Sequence, residues 1–146
     1  MVHALEEIKR VLVEGGTLID LRPLADRWAI EILSRGTRTE VGRVTDLPQG
    51  LADDAAANSA MAMGEDRGLF KRQAEETFPV HYSWDTPREM QQYLEEEWAD
   101  FASVDEETWR LVRSAWAIAE ADARVGIRVK MLITRWILSG RDQDAS

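Results

Sequence analysis

Residues 4–23, ALEEIKRVLVEGGTLIDLRP, constrain this chain more than any other stretch. Leu5, Ile8 and Leu12 fall at i, i+3 and i+7, which gives a helix one apolar stripe. No Ser, Thr, Asp or Asn stands before that stripe as a helix cap. Gly15 and Gly16 then supply the left-handed backbone that stops a helix and turns the chain. Thr17 to Leu21 reads as a buried strand that leaves through Arg22 and Pro23.

Downstream the periodicity switches between two and 3.6. Trp28, Ile30 and Ile32 alternate with Ala29, Glu31 and Leu33, Ser34-Arg35-Gly36 makes a turn, and residues 37–45 return as a second strand. Pro48-Gln49-Gly50 is read as a turn before an Ala-rich helix over 51–63, with Asp53 and Asp54 in its first turn and Gly64 and Gly68 bracketing its end. Residues 70–84 form a long strand with Phe78, Val80, Tyr82 and Trp84 on one face and Thr77, His81 and Ser83 on the other. Pro79 cannot donate to a ladder, so this strand belongs at an edge or carries a bulge. Thr86-Pro87-Arg88-Glu89 is a capping box with Pro at the first helical position. Ser103 to Glu106 repeats the spacing, opening a helix whose stripe is Trp109, Val112, Trp116 and Ala119, widened by Leu111, Ala115 and Ile118. Val125, Ile127, Val129, Met131 and Ile133 then alternate with Arg124, Arg128 and Lys130, a half-buried strand with a basic outer face.

The expected fold is therefore α+β: a mixed, mostly antiparallel sheet of about five strands with three to four helices packed on it. A single domain over 1–138 is expected, with 139–146 as a flexible polar tail. At 146 residues the chain can bury roughly 68–70% of its unfolded surface. With no Cys, disulfide frameworks, thiolate zinc sites and Cys nucleophiles are excluded. Twenty-seven acidic residues against eighteen basic ones give a net charge of -9, which disfavours nucleic acid as a partner. Neither a signal peptide nor a spanning run of about 18 apolar residues is visible, so no membrane partner is expected and the cytoplasm is the default location.

The opening stretch resembles the middle of class I S-adenosylmethionine-dependent methyltransferases, many of which carry A-L-x-E-I-x-R-V-L-x-P-G-G-x-L. Here it reads Ala4-Leu5, Glu7-Ile8, Arg10-Val11-Leu12, Gly15-Gly16 and Leu18, with Glu14 in place of the usual proline. The resemblance covers about twenty residues and implies the C-terminal half of such an enzyme. The family's glycine-rich cofactor turn and ribose-binding acid would both lie upstream of residue 1, and no G-x-G-x-x-G turn occurs in this sequence. The resemblance thus implies no cofactor in the isolated chain; S-adenosylmethionine would bind only if an N-terminal half were supplied. It also implies either a fragment or a free-standing descendant. A strand cut from its upstream neighbours exposes an edge, which a homodimer or the missing half would cover.

Five residues are candidates for a substrate or ligand pocket. Asp20 and Arg22 stand at the carboxyl end of the first strand, where open α/β sheets place ligands, but a salt bridge explains them as well. His81 is read as the only histidine inside a structured segment, and histidine is the usual general base, but no Ser-His-Asp spacing accompanies it and a lone strand histidine is more often structural. Tyr82 and Trp84, with Trp98, Trp109 and Trp116, could line an aromatic pocket, but their spacing fits core faces throughout and core is the better reading. Glu95 to Glu97 and Asp105 to Glu107 read as solvated faces rather than a metal site, and Arg124, Arg128 and Lys130 as their partners. No catalytic residue is assigned. The function expected is a methyltransferase-like module contributing substrate-side or oligomer contacts; the alternative is a stand-alone small-ligand-binding protein.

Overall fold

Helix α1 (Val2–Val11) forms where the apolar spacing places it but ends four residues before the glycine pair; Gly15, at φ +74, turns the chain into the next strand, with Gly16 N–H donating to Val13 O. The structure is a computed structural model that describes residues 2–140; most of the expected tail, 141–146, lies outside the described residues. The elements after α1 are β1 (Thr17–Pro23), β2 (Ala29–Ser34), β3 (Thr37–Arg43), β4 (Thr45–Asp46), α2 (Pro48–Asp66), β5 (Phe70–Trp84), α3 (Pro87–Glu97), β6 (Ala102–Ser103), α4 (Glu106–Ala117) and β7 (Arg124–Leu138). The fold is α+β, with a mostly antiparallel five-stranded sheet and a separate two-residue pairing of β4 with β6. The residues fall into two compact units, and each has its own core.

The first unit comprises residues up to Arg22, Asp53–Thr77 and residues from Leu132 onward. Leu5, Ala60, Phe70, Trp136 and Leu138 are its buried core, with Ile8, Leu12 and Leu18 packed on them. Here β1 is not the buried strand the sequence suggests. Among the described residues it pairs only with β7, and it alternates between exposed and half-buried positions, leaving Ile19 and Leu21 50% and 55% exposed. The half-buried set includes Asp20 and Arg22, so the polar residues of β1 face inward and two apolar ones face out. At the end of α2, Gly64 is an interior helical residue, where an added Cβ would meet Leu5 Cδ1 at 3.4 Å. Gly68 is the true stop. Its φ is +67, its N–H donates to Glu65 O, and Leu69 N–H donates to Gly64 O, the paired bonds of a Schellman cap. Ser139, at the start of the expected tail, donates its N–H to Leu69 O at 3.1 Å.

The second unit comprises Pro23–Ala52 and Phe78–Met131. Its sheet runs β3, β2, β7, β5, with β2 antiparallel to both β3 and β7. One face carries Ile30, Ile32, Val125, Ile127 and Val129 in a buried core with Met90 and Leu94 of α3 and Trp109 and Val112 of α4. The capping box of α3 is present as the sequence requires, with Thr86 and Glu89 bonding reciprocally. For α4 the cap is Asp105, which accepts from Thr108 N–H at 2.7 Å; Ser103 is instead paired in β6. Leu111 and Ile118 do not widen the buried stripe of α4, since they are 53% and 89% exposed. Residues 48–50 are not a turn either. Leu51 N–H donates to Leu47 O, so Pro48 occupies the first helical position, where its missing N–H costs nothing. A Cβ on Gly50 would lie 2.9 Å from Phe101 O, so glycine is needed there for close approach, not for turning. Asp53 and Asp54 consequently fall beyond the first turn of α2.

The β2–β3 hairpin turns on Arg35 and Gly36, at φ +50 and +75. Two consecutive positive φ values match the twist of a tight hairpin, but a non-glycine residue there is strained. Asp122 compensates: Ser34 Oγ donates to its Oδ1 at 2.7 Å and Arg35 N–H to its Oδ2 at 3.0 Å. These bonds, the Ser34 hydroxyl first and the Arg35 amide next, hold the Asp122 carboxyl below its usual range. A lowered folded-state value means stabilisation that is present above the unfolded carboxylate range and lost as pH falls through the folded one. Asp122→Asn should therefore be less stable than the parent near pH 7, with the difference closing under acid, as read from urea unfolding between pH 7 and pH 3.

Candidate functional site

The five candidate residues separate into two places. Asp20 and Arg22 lie in the first unit, and His81, Tyr82 and Trp84 in the second. Being two apart on β1, Asp20 and Arg22 share a face, and Arg22 Nε contacts both carboxylate oxygens at 3.2 and 3.3 Å. Arg22 Nη2 donates to Asn58 Oδ1 of α2 at 2.7 Å. Both side chains are about five-sixths buried, at 17% and 16% exposure, and Arg22 Nη1 is buried without a partner. The salt bridge lies within β1, and the Arg22–Asn58 hydrogen bond ties that strand to α2.

Tyr82 and Trp84 point to one face of β5 and join an aromatic cluster. Their rings stack 6.3 Å apart at 17°, and Trp98 meets Tyr82 edge-on at 5.3 Å. Tyr93 of α3 packs against Trp84 and Trp98, while Trp28 and Phe101 close the far side of Trp98. Such offset and edge-on geometries are the favourable ones for aromatic rings. Trp84, Tyr93 and Trp98 belong to the core assembly, and Tyr82 remains 38% exposed over it. The cluster is chiefly core with one open ring.

His81 faces the other way and reaches a residue that sequence reading passed over. Glu31 sits in β2 between Ile30 and Ile32, and its side chain is only 4% exposed. Around it stand Arg38 of β3 at 3.8 Å, His81 of β5 at 3.9 Å and Arg128 of β7 at 3.6 Å. Four successive strands thus contribute one ionisable group each to one sheet face. Adjacent strands are about 4.8 Å apart, so β5 lies roughly two spacings from β2. The residue of β7 directly opposite Glu31 is Gly126. An added Cβ on Gly126 would meet Tyr82 O at 2.7 Å and Leu33 Cδ1 at 2.9 Å. Glu31 Oε1 is buried and accepts no hydrogen bond.

The basic face of β7 is paired, but not with the acidic runs of α3 and α4. Arg124 bonds Asp85 at 3.0 Å, Lys130 bonds Asp26 at 3.2 Å, and Arg128 faces Glu31. Each partner sits beside β7 in the sheet or its flanking loops, whereas Glu95 to Glu97 project from α3. Among the described residues, clefts that border none of the five candidates include one of about 460 Å³ in the first unit, bordered by Glu6, Lys9, Arg10 and Glu14, one of about 250 Å³ at the β2–β3 turn beside Asp122 and Arg124, and one of about 290 Å³ between the β2–β3 hairpin and α4. No three His, Asp or Glu side chains among the described residues are placed to hold a metal ion. No helix among them is long and apolar enough to cross a membrane.

Comparison with protein families, with curated proteins and with solved structures finds no match.

Proposed function

We propose that this chain is a methyltransferase-like module with no cofactor site of its own, working in the cytoplasm and contributing substrate-side or oligomer contacts. The observation that carries the reading is the edge strand β1. The resembling stretch folds as helix, left-handed glycine and strand, and it delivers β1 to the end of the sheet order. Ile19 and Leu21 stand exposed on that strand, and Val11 and Val13 are 66% and 76% exposed just before it. An unpaired edge flanked by apolar side chains favours strand addition by a second chain. The occupant we favour is a second copy of this chain, in an isologous pair.

Light scattering across a concentration series tests this. A dimer that Ile19→Lys with Leu21→Lys converts to monomer, with the circular dichroism spectrum unchanged, is the expected result. A monomer mass at every concentration removes the edge-pairing idea. Titration with S-adenosylmethionine tests the other half: saturable micromolar binding by this chain would overturn a module without a cofactor site. A second reading, a small-ligand-binding protein, draws support from the exposed Tyr82 ring above Trp84 and Trp98. An apolar ligand retained through purification would favour it.

A further inference from the structure

The row of charges across β3, β2, β7 and β5 is more than a brace between strands. We propose that it is a binding site for a phosphate-class oxyanion, with Arg38, His81 and Arg128 as the ligand donors and Glu31 as the residue that positions them. This inference stands on the second unit alone and does not depend on the methyltransferase resemblance or on a dimer.

Distance separates a brace from a cradle. A carboxylate serving only as a brace would accept short, charge-assisted bonds of about 2.7–2.9 Å. Glu31 makes none: its basic neighbours stand at 3.6–3.9 Å, and Oε1 has no hydrogen-bond partner although it is buried. At that range Glu31 attracts the two guanidinium groups and the imidazole without using their N–H donors. A guanidinium carries five such donors, and an imidazole carries at least one in either protonation state. Arg38, His81 and Arg128 remain 39%, 33% and 44% exposed, so solvent and ligand reach them from the open side.

Charge points the same way. Two guanidinium groups against one carboxylate leave the cluster positive, in a chain whose net charge is -9. The nearest acidic neighbour in register, Glu40 opposite Glu31, is engaged by Arg43 at 2.8 Å. Arg124 and Lys130 on β7 are likewise satisfied by Asp85 and Asp26. An isolated positive spot on an acidic surface suits a small anion and repels a polyanion such as nucleic acid. Three donors from three strands match the three free oxygens of a phosphate better than the two of a carboxylate.

The experiment is a titration of the whole chain with inorganic phosphate at constant ionic strength, followed by the NMR signals of the His81 ring and the Gly126 amide. Glycerol phosphate and acetate form parallel arms. Saturable shifts with phosphate, and weaker ones with acetate, are expected. Arg38→Met and Arg128→Met should each weaken phosphate binding about ten-fold or more, while Arg10→Met on α1 leaves it unchanged. Tighter binding of glycerol phosphate identifies a phosphomonoester as the ligand; equal binding identifies the phosphate group alone. Should Arg128→Met fail to fold, Arg128→Lys keeps the charge and loses the fork, and should still weaken binding. The absence of saturation, or equal weakening by Arg10→Met, overturns the proposal.

Discussion

Trp98→Ala is expected to cost about 3–5 kcal/mol of folding stability, the range for deleting a large buried aromatic side chain. Trp98 is 8% exposed and touches Trp28, Tyr82, Trp84, Tyr93 and Phe101, with ring centroids 5.3–6.5 Å apart. No other ring in the cluster links α3, β5 and the segment before β2 at once. Truncation leaves a void between those three elements, and the surrounding rings cannot collapse into it without giving up their own edge-on contacts. The backbone role of the residue survives the change, because its N–H still donates to Leu94 O as the cap of α3. Urea unfolding of this variant should be set beside Ile118→Ala, whose side chain is 89% exposed and should change stability by less than about 0.5 kcal/mol. A Trp98→Ala loss below about 1 kcal/mol would mean that the cluster is loosely packed, in conflict with the geometry above.

That cluster illustrates how far the sequence could be read. Period-two alternation located β5 and its aromatic face to the residue, and Thr86 to Glu89 located the start of α3, because both signals are local. Burial depends on neighbours that the local pattern does not contain. Thr17 to Leu21 looked interior by composition, yet its position at the end of the sheet order exposes Ile19 and Leu21. Glu31 looked exterior by charge, yet the sheet buries it. Its one visible signal was a carboxylate between two isoleucines, which any half-buried strand shows. What turned it into a site was long-range: Arg38 from the next strand, with His81 and Arg128 from β5 and β7 much further along the chain. Gly126 could not have been singled out either, since what it permits is the close approach of Tyr82 O from β5 and Leu33 from β2.

Removing Arg38 and Arg128 together should destabilise the fold by more than removing Glu31 does. The asymmetry follows from burial. Glu31→Gln leaves two guanidinium groups and an imidazole that are already one-third or more exposed, and water can solvate them. Arg38→Met with Arg128→Met instead strands a carboxylate that is 4% exposed, with the His81 imidazole at 3.9 Å as its remaining basic neighbour. Stranding a buried charge costs about 3–5 kcal/mol, and the part exposure of both arginines places the expected loss near the low end, about 3 kcal/mol. Adding Glu31→Gln to the double variant should then restore stability, a non-additive rescue that a double-mutant cycle reads directly. If the three changes simply add, the groups act independently and Glu31 does not position the arginines. The same cycle bears on ligand binding. Phosphate should raise the melting temperature of the parent, because a ligand bound only by the folded state stabilises it. It should leave the rescued triple variant unmoved, since that protein keeps the fold and lacks the donors.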